Sequence, residues 1–581
     1  MNTYYTNEKN TQILLSLMKQ SGIRKIVASP GTTNISLVAS VQQDEYFQVY
    51  SSVDERSAAY IACGLAKESG EPIVITCTCA TASRNYIPAL TEAFYSKLPV
   101  LAVTFTQHTA KIGHHIAQVI DRSVQLNDMV KMSVELPTVY CDEDSWACEI
   151  KLNNVLLALK RDGGGPAHIN MVTTYSNDFS VKELPVARKI DRICVEDEFP
   201  ILNNNKVGVF VGAHPKFNDG LTKNIDEFCE KFNAVVICDH TSNYKGKYRV
   251  LANLIAAQGA KEIKNFDLMI HIGEVSGAYL PISANEVWRV NLDGEIRDTF
   301  KKLTNVFEMS ENYFFNYYAN DKKSTTNKTA ISLIDECKNT NKIILNKISE
   351  LPFSNVWIAK NTANKLPENS IFHLGILNSL RSWNFFEVPQ SVLGYSNTGG
   401  FGSDGCVSTL IGSSLANPKK LHFGFVGDLA FFYDMNSIGN RHVENNIRLM
   451  IVNNGGGTEF RNYNHRAAKF GEDANDYMAA FGHYGNKSDK LIKNYAENLG
   501  FEYLSAKSKD EYLKNVNKFV NPKITNRPIL FEVFTDEKDE SDALKVINNL
   551  DVNAEQATKN VIKNILGDKG VKNLKKFLGK G

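Results

Sequence analysis

Short runs of apolar, β-branched residues recur along the chain, separated by helix-like segments. Lys25 to Ser29 (KIVAS), Ile73 to Cys77 (IVITC) and Val100 to Thr104 (VLAVT) form the first set. VGVFVG, AVVICD and DLMIHIG form a second, beginning near residue 205, and SIFHLG, LHFGFVGD, IRLMIVNN and PILFEVF form a third. Strands alternating with helices predict parallel sheets with helices on both faces. The expected fold class is therefore α/β, with three consecutive doubly wound parallel-sheet domains at 1–185, 186–345 and 346–581. Polar, weakly periodic joints lie near 180–204 and 318–350, and NDKKSTTNKTA has the clearest linker composition. The closing stretch, NVIKNILGDKGVKNLKKFLGKG, reads as a basic, solvated terminal helix. No short-period repeat of the solenoid kind is present.

Composition narrows the functional classes. The chain has 581 residues, too many for one core, and its 43% apolar and 22% charged content is that of an ordinary globular protein. Lys plus Arg number 65 against 64 Asp plus Glu, so net charge gives no reason to expect nucleic acid or an anionic membrane as a partner. MNTYYTNEKNTQILLSLMKQ lacks a basic segment followed by an apolar one, and no apolar run approaches the roughly 20 residues that span a bilayer. A cytoplasmic protein is expected. Ten cysteines form no C-x-x-C zinc array and no secreted-type framework, and Cys77 and Cys79 read as buried, reduced thiols.

The third unit carries the sharpest chemical pattern. Strand-like HFGFV ends in Gly427 and Asp428, and strand-like RLMIV ends in Asn453, Asn454, Gly455, Gly456 and Gly457. One carboxylate and one amide thus emerge at the carboxyl ends of two strands, where open parallel sheets bind ligands, and the glycines allow backbone to approach a diphosphate. Mg²⁺ takes a near-octahedral oxygen shell of this kind, built from a carboxylate, an amide oxygen, a backbone carbonyl, phosphate oxygens and water.

Gly427-Asp428 followed 25 positions later by Asn453-Asn454 resembles the binding motif of thiamine-diphosphate-dependent 2-oxo acid decarboxylases and carboligases. That family is built from an amino-terminal pyrimidine-binding domain, a middle domain and a diphosphate-binding domain, matching the three units in number and order. SSVDERSAAYIACGLAKESG resembles the family's strand-to-helix segment and places Glu55 at the activating position. TCATASRN resembles the TSGPGATN loop of acetolactate synthases, and SPGTTN resembles the first strand-end loop. YSNTGGFGSDG and GDLAFFYDMNS most resemble the menaquinone-pathway carboligase. The resemblance implies thiamine diphosphate and Mg²⁺ as cofactors. It implies cofactor contacts from Pro30, Gly31, Thr78 and Asn85 in the first unit. In the third it implies contacts from Thr398, Gly399, Phe401, Ser403, Gly427, Asp428, Leu429, Ala430, Asn454, Gly456, Gly457 and Thr458. Metal contacts are implied at Asp428, Asn454 and Gly456. Phe401, or Ser403 beside it, is the candidate for the residue that props the cofactor into its bent conformation. In the family a glutamate bonds N1′ of the aminopyrimidine and promotes loss of the cofactor's C2 proton, the role implied for Glu55; its plainer reading is a first-turn acid at the positive end of a helix. The two halves of such a site come from different subunits. A homodimer or dimer of dimers is therefore implied, with Glu55 of one subunit facing Asp428 of another.

Substrate recognition departs from the nearest look-alike. Thr33 stands where the menaquinone enzyme's SPGSRS has an arginine suited to bidentate carboxylate recognition, Thr398 stands where SNRG has another, and Gln107-His108 replaces the Asp-Arg of TADRP. Arg84 is a candidate replacement grip, with a structural ion pair as the alternative. KIGHHIAQVID supplies His114, His115 and Gln118: the paired histidines resemble those of simple 2-oxo acid decarboxylases, and the glutamine resembles that of acetolactate synthases and the menaquinone enzyme. Histidine titrates near neutrality and can give or take a proton at a reacting carbon. The middle unit has no complete G-x-G-x-x-G after a strand and is expected to be structural, without a bound dinucleotide. The expected activity is decarboxylation of a pyruvate-like 2-oxo acid with transfer of the acyl anion to a small-molecule acceptor, as in acetolactate synthases. The alternatives are a simple non-oxidative 2-oxo acid decarboxylase, the menaquinone carboligase acting on 2-oxoglutarate and isochorismate, and a non-catalytic scaffold that retains the fold.

Overall fold

Strand-forming runs become three parallel sheets in the computed structural model, which describes residues 4–325, 331–482 and 488–550. The chain divides into two compact units, Met1–Asp197 with Gly294–Glu308, and Glu198–Asp293 with Met309–Gly581.

In the first unit the strands are β1 (Lys25–Ala28), β2 (Gln48–Ser51), β3 (Ile73–Cys77), β4 (Val100–Thr106), β5 (Met132–Leu136) and β6 (Ala167–Val172). They lie in the order β2-β1-β3-β4-β6-β5 and pair in parallel throughout. Every residue of β3, β4 and β6 is buried, as central strands of a two-sided sheet require, whereas edge strand β2 is mostly exposed. One face packs on Leu14, Leu17, Leu37, Leu152 and their neighbours, the other on Ala58, Ala59, Ala62, Ala66 and Ala89. The second set belongs largely to the helix Glu55–Ser69, whose alanine face lets it lie close to the sheet. Asp54 caps its start by accepting from the Ser57 N–H at 3.1 Å, and Gly70 ends it in the left-handed conformation. A further strand, β7 (Asp191–Ile193), pairs in this unit with a later one, Leu303–Glu308.

The second unit opens with β8 (Val207–Val211), β9 (Val235–Cys238), β10 (Arg249–Leu251), β11 (Phe266–Ile272) and β12 (Ala284–Asn291), ordered β10-β9-β8-β11-β12. This is the 3-2-1-4-5 order of a Rossmann-like sheet. Strand Leu303–Glu308 of the first unit is β13. The second unit's other sheet holds β14 (Ile371–Leu374), β15 (Leu393–Tyr395), β16 (His422–Gly427), β17 (Ile447–Asn453), β18 (Glu502–Ala506) and β19 (Ile529–Phe534), ordered β15-β14-β16-β17-β19-β18. Numbered within their own sheets, the first and last sheets share one order, 2-1-3-4-6-5. The last is packed with aromatic rings, including Trp383 against Phe425 at 3.9 Å and Tyr512 stacked on Phe531.

Helix Leu333–Asn346 occupies much of the stretch expected to be a polar joint, because Ser332 caps it and Leu333, Ile334, Cys337 and Ile344 give it a buried stripe. The end of the NDKKSTTNKTA linker and the basic terminal helix fall outside the described residues. Cys77 and Cys79 are buried free thiols, as expected. Among the described residues no helix is long and apolar enough to cross a membrane.

Candidate active site

A 2-1-3 strand order reverses direction between its second and third members, and the crevice at the carboxyl ends of those strands is where such sheets bind ligands. In the first sheet that point lies between β1 and β3, in the last between β14 and β16. The loops leaving these strands are 29–34 and 78–81 in one unit, and 375–378 and 427–428 in the other.

In the first unit, the two loops touch. Thr33 is buried and its Oγ1 lies 2.8 Å from Thr78 Oγ1, while Asn34 Nδ2 donates to the Ser29 carbonyl at 3.0 Å. The contact needs a glycine at 31, since a Cβ there would stand 2.3 Å from Thr78 Cβ. Pro30 is exposed at the rim. Glu55 is half-buried at the first position of its helix, and Asn85 Nδ2 donates to its Oε2 at 3.1 Å, so two residues chosen separately by motif form one hydrogen-bonded pair. Ala80, within the loop after β3, has φ +58°.

The loop after β4 carries His114, His115 and Gln118, all exposed. His115 (φ +55°) and Gln118 (φ +63°) adopt left-handed backbone that side chains with a Cβ seldom take, and such strain concentrates at functional sites. Gln118 Oε1 accepts from the Cys79 thiol at 3.6 Å, tying this loop to the Thr78 loop. Arg84 is exposed and donates to the Asp121 carbonyl at 2.9 Å. Gln107 accepts from Lys111 Nζ at 2.7 Å, and His108 Nδ1 accepts from the Ala110 N–H. Tyr175, on the loop after β6, joins this group: it has φ +56°, and burial together with Cys79 raises its pKa. No motif marks Tyr175; the only sequence clue is its place after the polar pair Thr173-Thr174 at a strand end.

In the second unit, β16 and β17 run side by side with Gly427 paired to Val452, so Asp428 leaves its strand level with Asn453, and Asn454 follows one residue further along the neighbouring strand. Asp428 is 1% exposed and begins the short helix Asp428–Asp434, with Gly427 as its cap and Leu429 and Ala430 in its first turn. Asn454 Nδ2 donates to Thr458 Oγ1 at 3.2 Å, while its Oδ1 is buried without a hydrogen-bond partner. Asn378, at the end of the loop after β14, donates to the same Thr458 hydroxyl at 2.7 Å. Arg381 grips Glu459 with two bonds of 2.7 and 2.8 Å, which joins that loop to the one after β17. Gly456 and Gly457 lie against the Ala479 carbonyl, and a Cβ on Gly456 would stand 2.9 Å from it. Gly399 has open space where a Cβ would be, and Thr398 is buried. Phe401 has φ +52°, and its ring sits 5.7 Å from Tyr279 across a cavity of about 220 Å³ that Leu377 and Arg381 also line. Ser403 is half-buried and its carbonyl accepts from the Cys406 thiol.

Two buried acids unmarked by any motif stand behind this edge. Glu532 of β19 accepts from Asn453 Nδ2 and from the Tyr503 hydroxyl, each at 2.7 Å, and burial, with Asp428 adding to it, raises its pKa. Burial pushes the Glu540 carboxyl up to about 7 against the pull of its hydrogen bonds from Thr535 and Asn355. Among the described residues no cluster of three His, Cys, Asp or Glu side chains has the arrangement of a protein-only metal cage. What this edge offers is a carboxylate, an orphaned amide oxygen and a glycine-rich backbone, a donor set that fits an oxygen-seeking cation whose remaining ligands come from a diphosphate and water. Glu55, Asn85 and the Thr33–Thr78 contact belong to one unit, and Asp428, Asn454, Gly456 and Thr458 to the other.

Residues 9–125 match the family model described as thiamine pyrophosphate enzyme, N-terminal TPP binding domain. The 2-succinyl-5-enolpyruvyl-6-hydroxy-3-cyclohexene-1-carboxylate synthase of Phocaeicola vulgatus is 30% identical over 562 residues, covering 93% of this chain and 98% of that protein. The protein of the same name from Bacteroides fragilis is 28% identical over 576 residues, with the same coverage. A solved structure, the thiamine diphosphate-dependent 4-hydroxybenzoylformate decarboxylase of Rhodococcus jostii RHA1, is 15% identical with a TM-score of 0.38, covering 91% of this chain and 99% of that one.

Proposed function

The chain belongs to the thiamine-diphosphate-dependent enzyme family of the 2-succinyl-5-enolpyruvyl-6-hydroxy-3-cyclohexene-1-carboxylate synthases, and on that premise we propose that it is a Mg²⁺-dependent carboligase that decarboxylates a 2-oxo acid and passes the acyl anion to an acceptor. The observation that carries this reading is the buried, unpartnered Oδ1 of Asn454, one residue beyond the Asn453 that stands level with Asp428 on the neighbouring strand. An amide oxygen left without a donor costs about 1–3 kcal/mol, and a cation at that edge would offset the cost. Asp428 Oδ, Asn454 Oδ1 and the Gly456 carbonyl would hold Mg²⁺, and Gly427, Gly457 and Thr458 would lie against the diphosphate. When bound, thiamine diphosphate supplies the electron sink for the carbon–carbon bond change.

The protein's own groups do the rest. Glu55, oriented by Asn85, would hold a proton at the aminopyrimidine nitrogen. His114 and His115, exposed on a loop fixed at one end by the Cys79–Gln118 contact, would exchange protons with the substrate. Tyr60, Ile61 and Val53, at 48%, 46% and 78% exposure around the start of the Glu55 helix, form an apolar surface of the kind that marks a protein interface, which supports self-association with sites completed between subunits.

A second reading, the menaquinone-pathway carboligase itself, is favoured by the near-full-length similarity to synthases of that name. Against it stand Thr33, buried and turned to Thr78, and Thr398, also buried: neither carries a cation for a dicarboxylic donor. The test is CO₂ release from pyruvate, 2-oxoglutarate and longer 2-oxo acids by the purified protein with thiamine diphosphate and Mg²⁺, with and without acceptors. Release from 2-oxoglutarate alone, with addition to isochorismate, supports the second reading; cofactor binding without release from any acid supports a scaffold. Glu55→Gln should lower kcat by a factor of about 10² or more while leaving diphosphate affinity within about threefold, and undiminished activity would refute the role of Glu55.

A further inference from the structure

The geometry points to Asn378 as a positioning residue that acts through Thr458 to hold the Asn454 amide with its oxygen toward the cation, an inference that rests on the Mg²⁺ reading above. The two ends of an asparagine amide have nearly the same shape, so hydrogen-bond partners decide which end faces where. Arg381 can only donate, and its Nη1 lies 3.2 Å from Asn378 Oδ1; Asn462 Nδ2 donates to the same oxygen at 3.2 Å. Both donors are themselves anchored. Arg381 grips the two oxygens of Glu459, and Asn462 Nδ2 also donates to Glu459 Oε2 at 3.0 Å. Asn378 therefore presents nitrogen on its other side, and that Nδ2 donates to Thr458 Oγ1 at 2.7 Å.

A hydroxyl has two lone pairs and one hydrogen. Asn378 engages one lone pair of Thr458 and pins the oxygen in place, and the same oxygen accepts from Asn454 Nδ2 at 3.2 Å. With its nitrogen drawn to Thr458, Asn454 turns its oxygen the other way, and that Oδ1 has no hydrogen-bond partner among the described residues. Direction thus passes from a guanidinium that cannot reverse, through Asn378 and Thr458, to the proposed cation ligand. The relay is rigid near its source: Asn378 follows Leu377, whose φ of +67° is backbone that a residue with a Cβ seldom adopts. Thr458 and Asn462 are 3% and 2% exposed, so water does not compete for these bonds. Hydrogen-bond partners of this outer kind, when removed from metal sites, cost about 10- to 100-fold in metal affinity.

The experiment titrates Mg²⁺ calorimetrically into apoprotein with excess thiamine diphosphate, with far-ultraviolet circular dichroism reporting the fold. Asn378→Ala is expected to weaken Mg²⁺ binding about 10-fold or more, because the freed Thr458 hydroxyl is able to donate to Asn454 Oδ1 and hold the amide reversed. Asn378→Asp should bind no more than about threefold more weakly than wild type, since its carboxylate still accepts from Arg381 and takes the Thr458 hydrogen, leaving Thr458 only lone pairs for Asn454. In an Asn454→Asp background the penalty of Asn378→Ala should shrink to less than about twofold, because a carboxylate offers oxygen at either end. A merely structural role predicts neither the retention by Asn378→Asp nor the vanishing penalty. Should Asn378→Ala fail to fold, Thr458→Val takes its place, with the same expected loss and the same disappearance beside Asn454→Asp. A folded Asn378→Ala or its substitute within twofold of wild type, an Asn378→Asp as weak as Asn378→Ala, or a penalty undiminished beside Asn454→Asp overturns the assignment. Wild-type protein that binds thiamine diphosphate without taking up Mg²⁺ overturns the metal reading along with it, whereas normal wild-type binding with unaffected variants overturns the positioning role alone.

Discussion

Gly31→Ala is the substitution whose effect the structure sets most tightly. The added Cβ would lie 2.3 Å from Thr78 Cβ and 2.9 Å from Asn34 Oδ1, whereas carbon atoms pack best at about 3.5–4.0 Å. One of the two loops must retreat by more than about 1 Å. Such overpacking costs about 1–3 kcal/mol, and the 2.8 Å Thr33–Thr78 hydrogen bond adds about 1 kcal/mol when it breaks. For a unit of this size, about 2–4 kcal/mol lowers the melting temperature by roughly 5–12 °C. Because both loops leave the switch point of the first sheet, thiamine diphosphate affinity should fall along with stability. Gly64→Ala, inside helix Glu55–Ser69 with open space around its Cβ, is the control and should gain about 0.5–1 kcal/mol from helix propensity alone. Calorimetric melting of the first transition and a cofactor titration check both variants. Gly31→Ala that melts within 1 °C of wild type and binds cofactor within twofold would refute the argument that this contact builds the site.

Two further outcomes follow from burial and exposure. Burial depresses His168, His240, His271 and His373 to about 3. Their neutral forms therefore stabilise the fold fully above the unfolded value near 6.5, and that contribution is lost as pH falls from 6.5 toward 3, about 2 kcal/mol per histidine by pH 5. Urea midpoints should fall steeply between pH 6.5 and 5, and flat midpoints over that range would contradict the burial of these rings. Tyr60→Glu with Ile61→Glu should shift the protein toward monomer in sedimentation velocity, since two buried charges without partners disfavour an apolar contact; an unchanged sedimentation coefficient would place any interface elsewhere.

The strands that announce themselves in the sequence are the ones buried on both faces, such as β3 (IVITC), β4 and β8, where an apolar run needs no help from elsewhere to be recognised. The short or polar ones escape. Edge strand β2 (QVYS) is largely exposed, β15 is three residues long, and β6 (AHINMV) carries a histidine and an asparagine through the core. His168 is tolerated there because Thr104 and Ser133, each 2.8 Å from a ring nitrogen, reach it from the flanking strands β4 and β5. Those partners stand 64 and 35 positions away, so no local pattern can reveal that the polar ring is satisfied.

The same distinction separates the two layers of the candidate site. Asp428 and Asn454 are legible because each follows an apolar strand, and parallel pairing of those strands brings the two to within one residue of the same level whatever the rest of the chain does. Glu55 and Asn85 are legible for a similar reason, one at a helix start and the other in the short segment after a strand-end loop. Glu540, Glu532 and Asn378 are not. Their roles exist only once the last sheet has closed: Glu532 reaches Asn453 from strand β19, Asn378 reaches Thr458 from across the sheet, and Glu540 is held by Asn355, 185 positions earlier. Donor atoms that touch a ligand sit at chain-order landmarks, and the groups that aim them are recruited by packing. A reading by motif therefore finds the proposed cation ligands and misses Asn378, which reaches Thr458, the residue that accepts from the Asn454 amide.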